Sequence, residues 1–564
     1  MKFIQLCIFS FLFILWGCSD SSPEKTPVTI PEEIPNIVIN NYSSKEIKDL
    51  ALLCKVWGFL KYYHPAVGAG TYNWDDELLI IMEKVLNTSS AAERNILLSE
   101  WIESLGALES TNDYVIPFSD EQIKYLPDLD WIENQTELGS DLSARLISTR
   151  NAYKQRTSNV YINHAPNVGN PQFLKEPTYY SMSYSDDGIK LIAIFRYWNM
   201  IEYFFPYKLL ADEDWDEVLE ASIPEFIDAK DALNYKLACL KLIGKINDTH
   251  ANIYNDVDLS KHWGANYPCV KISFIEDQAV VTKYAQNADQ TLKIGDVIRK
   301  VNGKDVSEWI ARNKDYFPAS NTPTQLRNMG DLLLRTNSGS VRVEIERDGE
   351  IITKTVNCYP YPPEFSQPSS QKWITPEIGY IYCASINNDV DQFMNLFKDS
   401  KGIVIDLRCY PSEFVVFTLG GYFSQTSTAF AKFTQGNITY PGLFTFTGSV
   451  PVGGSGNYYQ GKVVVLINEE TQSQAEYTTM AFRRGPNVTV IGSTTAGADG
   501  NVSNIILPGN ITTYISGIGV YYPNGEETQR IGIIPDIEVK PTIQGIRDNK
   551  DEVLEKALEI INAY

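Results

Sequence analysis

A continuous apolar run, residues 463–467, is followed at once by the polar residues 468–472 and then by a segment with helical spacing, residues 473–482. A short apolar run rich in β-branched residues is typical of a strand buried on both faces of a sheet. Ser473 therefore stands where a central strand gives way to a helix, which in an open α/β sheet is the mouth of a site. Two interpretations stay open here: Ser473 caps the helix, or it is a nucleophile beside backbone N–H groups that hold an oxyanion.

Similar apolar runs on both sides of this stretch predict an α/β core over residues 370–564. The predicted strands are residues 377–382, 402–408 and 487–492, and the predicted helices are residues 389–397 and 550–561.

Residues 264–358 alternate short apolar segments with turn signals, which is typical of a compact β-rich module. Strands are predicted over residues 270–274 and 279–283. A second pair, residues 341–346 and 351–356, flanks an Arg-Asp-Gly-Glu hairpin turn.

The chain before this module has helical periodicity and an internal repeat. Trp57 and Trp198 each precede a proline by eight residues, and each is followed after seventeen residues by a second tryptophan, Trp74 or Trp215. The spacing predicts aromatic helices that end at proline and bury their faces against each other, and we interpret the repeat as structural. The predicted units are residues 41–150 and 151–262, with residues 112–184 as a long connection.

Asp248, Thr249 and His250 follow the last helix of the second unit on a predicted turn. Histidine is suited to proton transfer because its ordinary pKa is near physiological pH, and the alternative is a solvated loop histidine. The chain has four histidines, of which His64 and His164 are interpreted as structural.

Composition narrows the class of protein. A length of 564 residues exceeds what one hydrophobic core accommodates. The net charge of −22 argues against nucleic acid, whose phosphates need a basic surface. The cysteines have no zinc-ligand spacing, so no metal or cofactor is expected. Cys269 and Cys358 stand at the two ends of the β-rich module, where a disulfide is one alternative to two free thiols.

The N-terminus predicts export. Lys2 precedes an apolar run over residues 3–16, which is too short to span a membrane and has the shape of a signal peptide, residues 1–17. Residues 15–18, Leu-Trp-Gly-Cys, resemble a bacterial lipobox in which Cys18 is lipidated; an ordinary signal peptide is the alternative. Residues 18–40 are a predicted flexible linker. The expected location is the bacterial cell envelope, with a lipid anchor in the membrane.

Residues 292–303, Leu-Lys-Ile-Gly-Asp-Val-Ile-Arg-Lys-Val-Asn-Gly, resemble the Leu-x-x-Gly-Asp-x-Ile-x-x-Val-Asn-Gly run of PDZ domains. PDZ domains bind peptide ends or extended segments by adding a strand to a sheet edge. With Asp406-Leu407-Arg408, residues 473–476 (Ser-Gln-Ala-Glu) and residues 532–536 (Gly-Ile-Ile-Pro-Asp), the chain resembles the tail-specific (C-terminal processing) and tricorn-core serine proteases. The resemblance covers residues 41–564. It implies a multi-domain α+β protein with N-terminal helical units, a PDZ-like β-rich module and a crotonase-like (ClpP-like) spiral α/β catalytic core.

The resemblance also implies catalytic roles. The serine of Ser-x-x-Glu is the nucleophile of the family, here Ser473. The tail-specific branch has a lysine base 25 residues later, where this chain has Ala498. The tricorn branch uses a histidine preceded by a hydroxyl residue, which Thr249 and His250 match. The glutamate of that branch corresponds to Gln529, which orients a hydroxyl by hydrogen bonding but supplies no charge.

The implied oxyanion donors are the backbone N–H of Gln474 and one from the loop after Arg408. That loop is Gly-rich in the family. Here Pro411 has no N–H, so the donor would be Ser412.

The sequence thus predicts a serine-type endopeptidase of the cell envelope, with Ser473 as nucleophile, His250 as base and peptides or proteins as substrates. The alternative is a catalytically inactive lipoprotein that keeps the fold and binds peptides, favoured by the missing lysine, by Gln529 and by the altered loop. Carbohydrate binding or hydrolysis ranks below both because the sequence places no carboxylate pair.

Overall fold

The structure is a computed structural model in which neither Cys18 nor the predicted signal peptide falls within the described residues. No helix in the described part of the chain is long and apolar enough to cross a membrane. The described residues are 34–109, 114–156, 158–286, 288–386, 389–454, 456 and 458–564.

The first half of the chain is mainly helical. Its elements are α1 (Ser44–Tyr63), α2 (Pro65–Gly68), α3 (Trp74–Leu86), α4 (Ala91–Ser104), β1 (Ile123–Tyr125), α5 (Gln135–Asn151), β2 (Ile162–His164), β3 (Pro171–Phe173), α6 (Asp187–Phe204), α7 (Trp215–Asp228), α8 (Ala232–Gly244) and α9 (Val257–Trp263).

The predicted repeat is confirmed as a pair of reciprocal tryptophan contacts. The indole N–H of Trp57 donates to the carbonyl of Trp74 at 2.9 Å, and that of Trp74 donates back at 3.1 Å. Trp198 and Trp215 exchange the same two bonds at 2.7 and 3.1 Å. Each pair joins the long aromatic helix of its copy to the helix that begins at the second tryptophan, so the repeated spacing serves the packing of helices.

The prediction of a long connection over residues 112–184 is wrong in part. Helix α5 lies within it, and its Leu138, Leu142 and Leu146 are fully buried. These leucines recur every four residues and form one apolar face. The polar residues between them obscured that face in the sequence.

The middle of the chain forms a sheet with its own apolar core. The strands follow the order β4-β10-β9-β7-β6-β5, with β8 paired to β7, so that β5 lies at an edge. Cys269 and Cys358 are free thiols. The elements are β4 (Tyr267–Pro268), β5 (Val270–Ile275), β6 (Gln278–Tyr284), β7 (Val297–Val301), β8 (Lys304–Asp305), α10 (Val306–Asn313), α11 (Thr322–Gly330), β9 (Ser340–Arg347) and β10 (Glu350–Tyr359).

The rest of the chain is an α/β arrangement. Its elements are β11 (Gln371–Thr375), β12 (Ile378–Tyr382), α12 (Val390–Phe397), β13 (Gly402–Asp406), β14 (Thr428–Gly436), β15 (Phe444–Phe446), β16 (Val450–Val452), β17 (Lys462–Ile467), α13 (Gln474–Phe482), β18 (Val488–Gly492), β19 (Val502–Leu507), β20 (Ile511–Ser516), β21 (Gly519–Tyr521), β22 (Ile537–Glu538), α14 (Ile543–Arg547) and α15 (Glu552–Ala563).

A six-stranded sheet in this part, in the order β11-β12-β13-β17-β18-β22, positions the site. From β12 to β22 neighbouring strands are parallel, and their last residues lie opposite one another: Asp406 pairs with Leu466, and Ile467 pairs with Gly492. The loops that follow β13, β17 and β18 therefore meet at one edge of the sheet, where ligands bind in open α/β folds.

The antiparallel hairpin β19–β20 carries part of the C-terminal region into the helical half of the molecule. Its Ile505, Leu507, Ile511 and Ile515 are buried in the same apolar core as the helices of the repeat. The hairpin ends at Ser516, which it thereby places beside the turn that follows α8.

Burial of the His64 side chain should make the stability of the protein depend on pH. The side chain is buried, both ring nitrogens lack a hydrogen-bond partner, and burial lowers its pKa to about 4. The unfolded chain binds a proton near pH 6.5 but the folded protein does not, so stability is complete above that pH and declines as the pH falls towards 4. Since one pKa unit corresponds to about 1.4 kcal/mol, the free energy of unfolding should fall by roughly 3 kcal/mol.

Urea unfolding of the wild type and of His64→Gln at several pH values checks this expectation. The difference in free energy of unfolding between the two proteins should shrink as the pH falls. Parallel stability curves would contradict the assignment to His64.

Candidate active site

Ser473 lies at the sharp turn between β17 and α13 and is the N-cap residue of the helix. Its backbone has φ 55° and ψ −118°, a combination that residues with a side chain rarely adopt. Strain of this kind persists where the surrounding structure enforces it, and it is concentrated at functional sites. The turn leaves Ser473 partly exposed at the edge of the sheet where the loops meet.

The buried carboxylate of Glu476 enforces that turn. One carboxylate oxygen accepts the backbone N–H of Ser473 at 3.1 Å and that of Ala498 at 3.0 Å. The other accepts the backbone N–H of Gly497 at 2.8 Å and the hydroxyl of Thr495. Burial raises the pKa of Glu476, although these four hydrogen bonds oppose the rise. The Ser-x-x-Glu spacing thus joins the Ser473 turn to the loop after β18.

Replacing Glu476 with glutamine should loosen this turn. The substitution replaces one carboxylate oxygen, an acceptor, with an NH₂ group, which faces the donors that the oxygen had accepted. A buried donor left without a partner costs about 1–3 kcal/mol. We expect Glu476→Gln to lower the free energy of unfolding by that amount and peptidase activity by about 10²-fold, because small displacements at a reacting centre have such effects.

Chemical unfolding and peptide hydrolysis check both numbers. Glu555→Gln, at an exposed position on α15, is the matched control. Equal behaviour of the two variants would contradict an organising role for Glu476.

His250 is buried beside two polar partners. Its Nδ1 atom lies 2.9 Å from the hydroxyl oxygen of Ser516 and 3.5 Å from a carboxylate oxygen of Asp248. The Ser516 hydroxyl in turn donates to the same carboxylate oxygen at 3.1 Å, and its backbone N–H donates to the other at 2.6 Å. Burial alone would raise the pKa of Asp248, but hydrogen bonds from His250 and from backbone N–H groups lower it below its ordinary value.

This arrangement favours one tautomer of His250. Because a carboxylate only accepts, the Ser516 hydroxyl donates its hydrogen to Asp248, and its oxygen is left to accept a hydrogen bond from the N–H of Nδ1. Nε2 is then unprotonated and able to take up a proton, as a general base must be. Sequence reasoning missed both partners. Asp248 is two residues from His250 and could have been found, whereas Ser516 lies 266 residues away without a local signal.

Thr249 connects the histidine turn to the loop held by Glu476. Its hydroxyl accepts the backbone N–H of Ser320 at 2.9 Å and donates to the carbonyl of Ala496 at 3.3 Å. Two residues on, the carbonyl of Ala498 accepts the backbone N–H of Ser473 at 3.0 Å. His250 and Ser473 are therefore anchored to one short loop. Within the described residues, no hydrogen bond joins the two side chains directly.

Gln529 and Asp499 add two buried polar groups near this loop. Neither polar side-chain atom of Gln529 has a hydrogen-bond partner among the described residues, and the backbone N–H of the next residue, Arg530, donates to the carbonyl of Gly497 at 2.8 Å. Within the described residues Asp499 accepts a single hydrogen bond, from the backbone N–H of Gly500. Burial together with the charge of Glu476 raises the pKa of Asp499 well above the ordinary value. Unpaired buried groups of this kind concentrate at functional sites.

The two predicted oxyanion donors differ in whether their backbone N–H is free to bind a substrate oxygen. The backbone N–H of Gln474 has no partner among the described residues, while its side-chain amide donates to the carbonyl of Glu413 at 2.7 Å. The backbone N–H of Ser412 instead donates to the carbonyl of Cys383 at 3.0 Å. A substrate oxygen would have to replace that carbonyl before Ser412 could serve.

Part of the chain matches a known protein family. Residues 377–539 match the sequence model of peptidase family S41. No curated protein matches the chain. The chain is similar to the structure of mature CPAF complexed with lactacystin, with a TM-score of 0.52 and 13% identity over 67% of this chain and 99% of that one.

Two further solved structures are similar to the chain. A putative peptidase from Parabacteroides merdae gives a TM-score of 0.41 and 18% identity over 66% of this chain and 96% of that one. The tricorn protease gives a TM-score of 0.35 and 13% identity over 67% of this chain and 37% of that one.

The segment that matches the family contains the Ser473 turn, Glu476 and the loop that joins them. The likeness to CPAF shows a shared fold across two thirds of this chain. Residues 377–539 thus match peptidase family S41, and the protein is a serine-type peptidase.

Proposed function

We propose that the protein is an endopeptidase in which Ser473 attacks the peptide carbonyl and His250 is the base. The observation that carries the proposal is the hydrogen-bond chain from Nδ1 of His250 through Ser516 to Asp248, which favours Nε2 as the proton acceptor, on a turn anchored to the same loop as Ser473.

The steps follow from these groups. His250 Nε2 takes the proton of the Ser473 hydroxyl as its oxygen bonds to the carbonyl carbon. The free backbone N–H of Gln474 holds the oxyanion, with Ser412 as the proposed second donor. The carbon–nitrogen bond then breaks, and His250 gives its proton to the leaving amine. Water releases the acyl group by the same route. Asp248 stabilises the imidazolium through Ser516.

Residues 264–358 are proposed to act as a PDZ-like module that presents the substrate. Support comes from edge strand β5 and helix α11, which both contact the loop before Ser473. Lys271 on β5 pairs with Glu470 at 2.5 Å. Arg327 on α11 donates to the carbonyl of Glu469 at 2.6 Å and to the side chain of Gln472 at 3.0 Å. A peptide added to the β5 edge would lie close to the catalytic loop.

The proposed location is the bacterial cell envelope, with the mature chain anchored through a lipid on Cys18. The lipobox-like sequence and the net charge of −22, which suits a soluble domain on a tether, support this location. Metabolic labelling of the full chain with a fatty-acid analogue, compared with Cys18→Ser, tests it.

The second candidate is an inactive peptide-binding protein. It is favoured by the occupied N–H of Ser412 and by the absence of a direct Ser473–His250 hydrogen bond within the described residues. Labelling of the purified soluble chain with a fluorophosphonate probe, followed by mass spectrometry, separates the two. Modification of Ser473 supports the endopeptidase. No modification, with and without added peptide, supports the inactive protein.

A further inference from the structure

The loop that replaces the Gly-rich segment exposes three aromatic side chains within eight residues. Tyr410 is 59% exposed, Phe414 53% and Phe417 44%. Isolated apolar residues are common on protein surfaces, but contiguous apolar surface marks a binding site.

Two contacts place this loop against the helix of the nucleophile. The side-chain amide of Gln474 donates to the carbonyl of Glu413, next to Phe414, at 2.7 Å. The ring of Phe414 stacks on that of Tyr477, with centroids 6.4 Å apart and planes 21° apart. The backbone N–H of Tyr477 donates to the carbonyl of Ser473 at 3.1 Å, so the stacked pair lies within one helical turn of the nucleophile.

One buried ring, Phe430, and one partly buried ring, Phe433, connect to the exposed ones through Tyr477. Phe430 on β14 lies 4.9 Å from Tyr477 and 6.1 Å from Phe417, and Phe433 lies 5.8 Å from Tyr477. Phe414 and Phe417 are 5.9 Å apart. The aromatic wall, as we call Phe414, Phe417, Phe430, Phe433 and Tyr477, is thus one connected set of rings. Phe430 is buried, and Phe414 and Phe417 form the exposed rim.

We propose that the aromatic wall binds a large apolar side chain of the peptide substrate next to the scissile bond. The inference rests on the proposed function, since it is the nearness to Ser473 that selects a substrate residue as the occupant. An apolar side chain on the rim would bury area against Phe414 and Phe417, and aromatic substrate residues would add offset or edge-to-face contacts. A charged residue would lose water without a partner.

The test uses matched peptides that carry Phe, Leu, Ser or Asp at each position around a cleavable bond. Catalytic efficiency is measured for wild type, Phe414→Ala and Phe417→Ala, with Tyr180→Ala as control because Tyr180 is 77% exposed and lies outside the wall. Since the loss of a small apolar contact in such a pocket changes discrimination by about 10–200-fold, we expect each wall variant to lower the preference for Phe over Ser at least about tenfold. Tyr180→Ala should leave it unchanged.

Binding of the same peptides is also measured in the Ser473→Ala background, which needs no cleavage. If binding in this background distinguishes the peptides and the distinction depends on Phe414 and Phe417, while the wild type hydrolyses none of them, the result would support the apolar subsite and refute the endopeptidase. Hydrolysis by the wild type without a preference for apolar residues would support the endopeptidase and refute the apolar subsite. A change of oligomeric state in the wall variants, with peptide discrimination unchanged, would overturn the inference and assign the wall to contact between copies of the chain.

Discussion

Replacing Ser473 with alanine is expected to lower peptide hydrolysis by at least about 10⁴-fold, because removal of a nucleophile eliminates the covalent route and leaves only binding and oxyanion stabilisation. Fluorophosphonate labelling should disappear as well. The free energy of unfolding should change by about 0.5 kcal/mol or less, since the side chain is partly exposed and outside the core.

A second substitution at the same position provides the control. Ser473→Gly should be equally inactive but more stable than Ser473→Ala by about 1 kcal/mol, because glycine adopts φ 55° without strain. The pair separates loss of the nucleophile from disturbance of the turn. Substantial hydrolysis by either variant would show that another group attacks the substrate.

Replacing Asp248 with asparagine is expected to lower kcat by about 10³–10⁴-fold with little change in KM, since an uncharged amide neither stabilises the imidazolium nor keeps the proton on Nδ1. Asp248 acts here through the Ser516 hydroxyl as well as on its own, at 3.5 Å from the ring. Ser516→Ala should therefore lower kcat by a smaller factor, about 10–10²-fold, because the direct contact stays.

His250→Ala removes the proposed base itself, so its kcat should be at least as low as that of Asp248→Asn. Asp231→Asn is the matched control, since Asp231 caps α8 at an exposed position where asparagine caps equally well. Circular dichroism shows whether each variant is folded. Full activity in Asp248→Asn or His250→Ala would point to a different base.

Much of the α/β region could be predicted from the sequence because its strands are buried on both faces. The run that predicts a strand over residues 402–408 forms β13 from Gly402 to Asp406, and the helix predicted from Ser473 begins at Gln474. Continuous β-branched runs have few alternatives, and the polar residues after them mark the ends of the strands. The tryptophan repeat could be predicted for a related reason, since both members of each pair are close in sequence.

The missing parts of the site depend on contacts between residues far apart in the chain. Nothing near Ser516 in the sequence connects it to His250, and three of the four donors that surround Glu476 come from a loop nineteen or more residues later. The aromatic wall could not be predicted either, because aromatic residues after a strand are usually buried.

The hairpin that brings Ser516 to His250 has a consequence for biosynthesis. A nascent chain that has emerged only as far as residue 358 has His250 but lacks Ser516, Ser473 and the four apolar side chains with which the hairpin completes the helical core. Translation must pass residue 516 before the peptidase can assemble. We therefore expect products that end before residue 516 to lack peptidase activity.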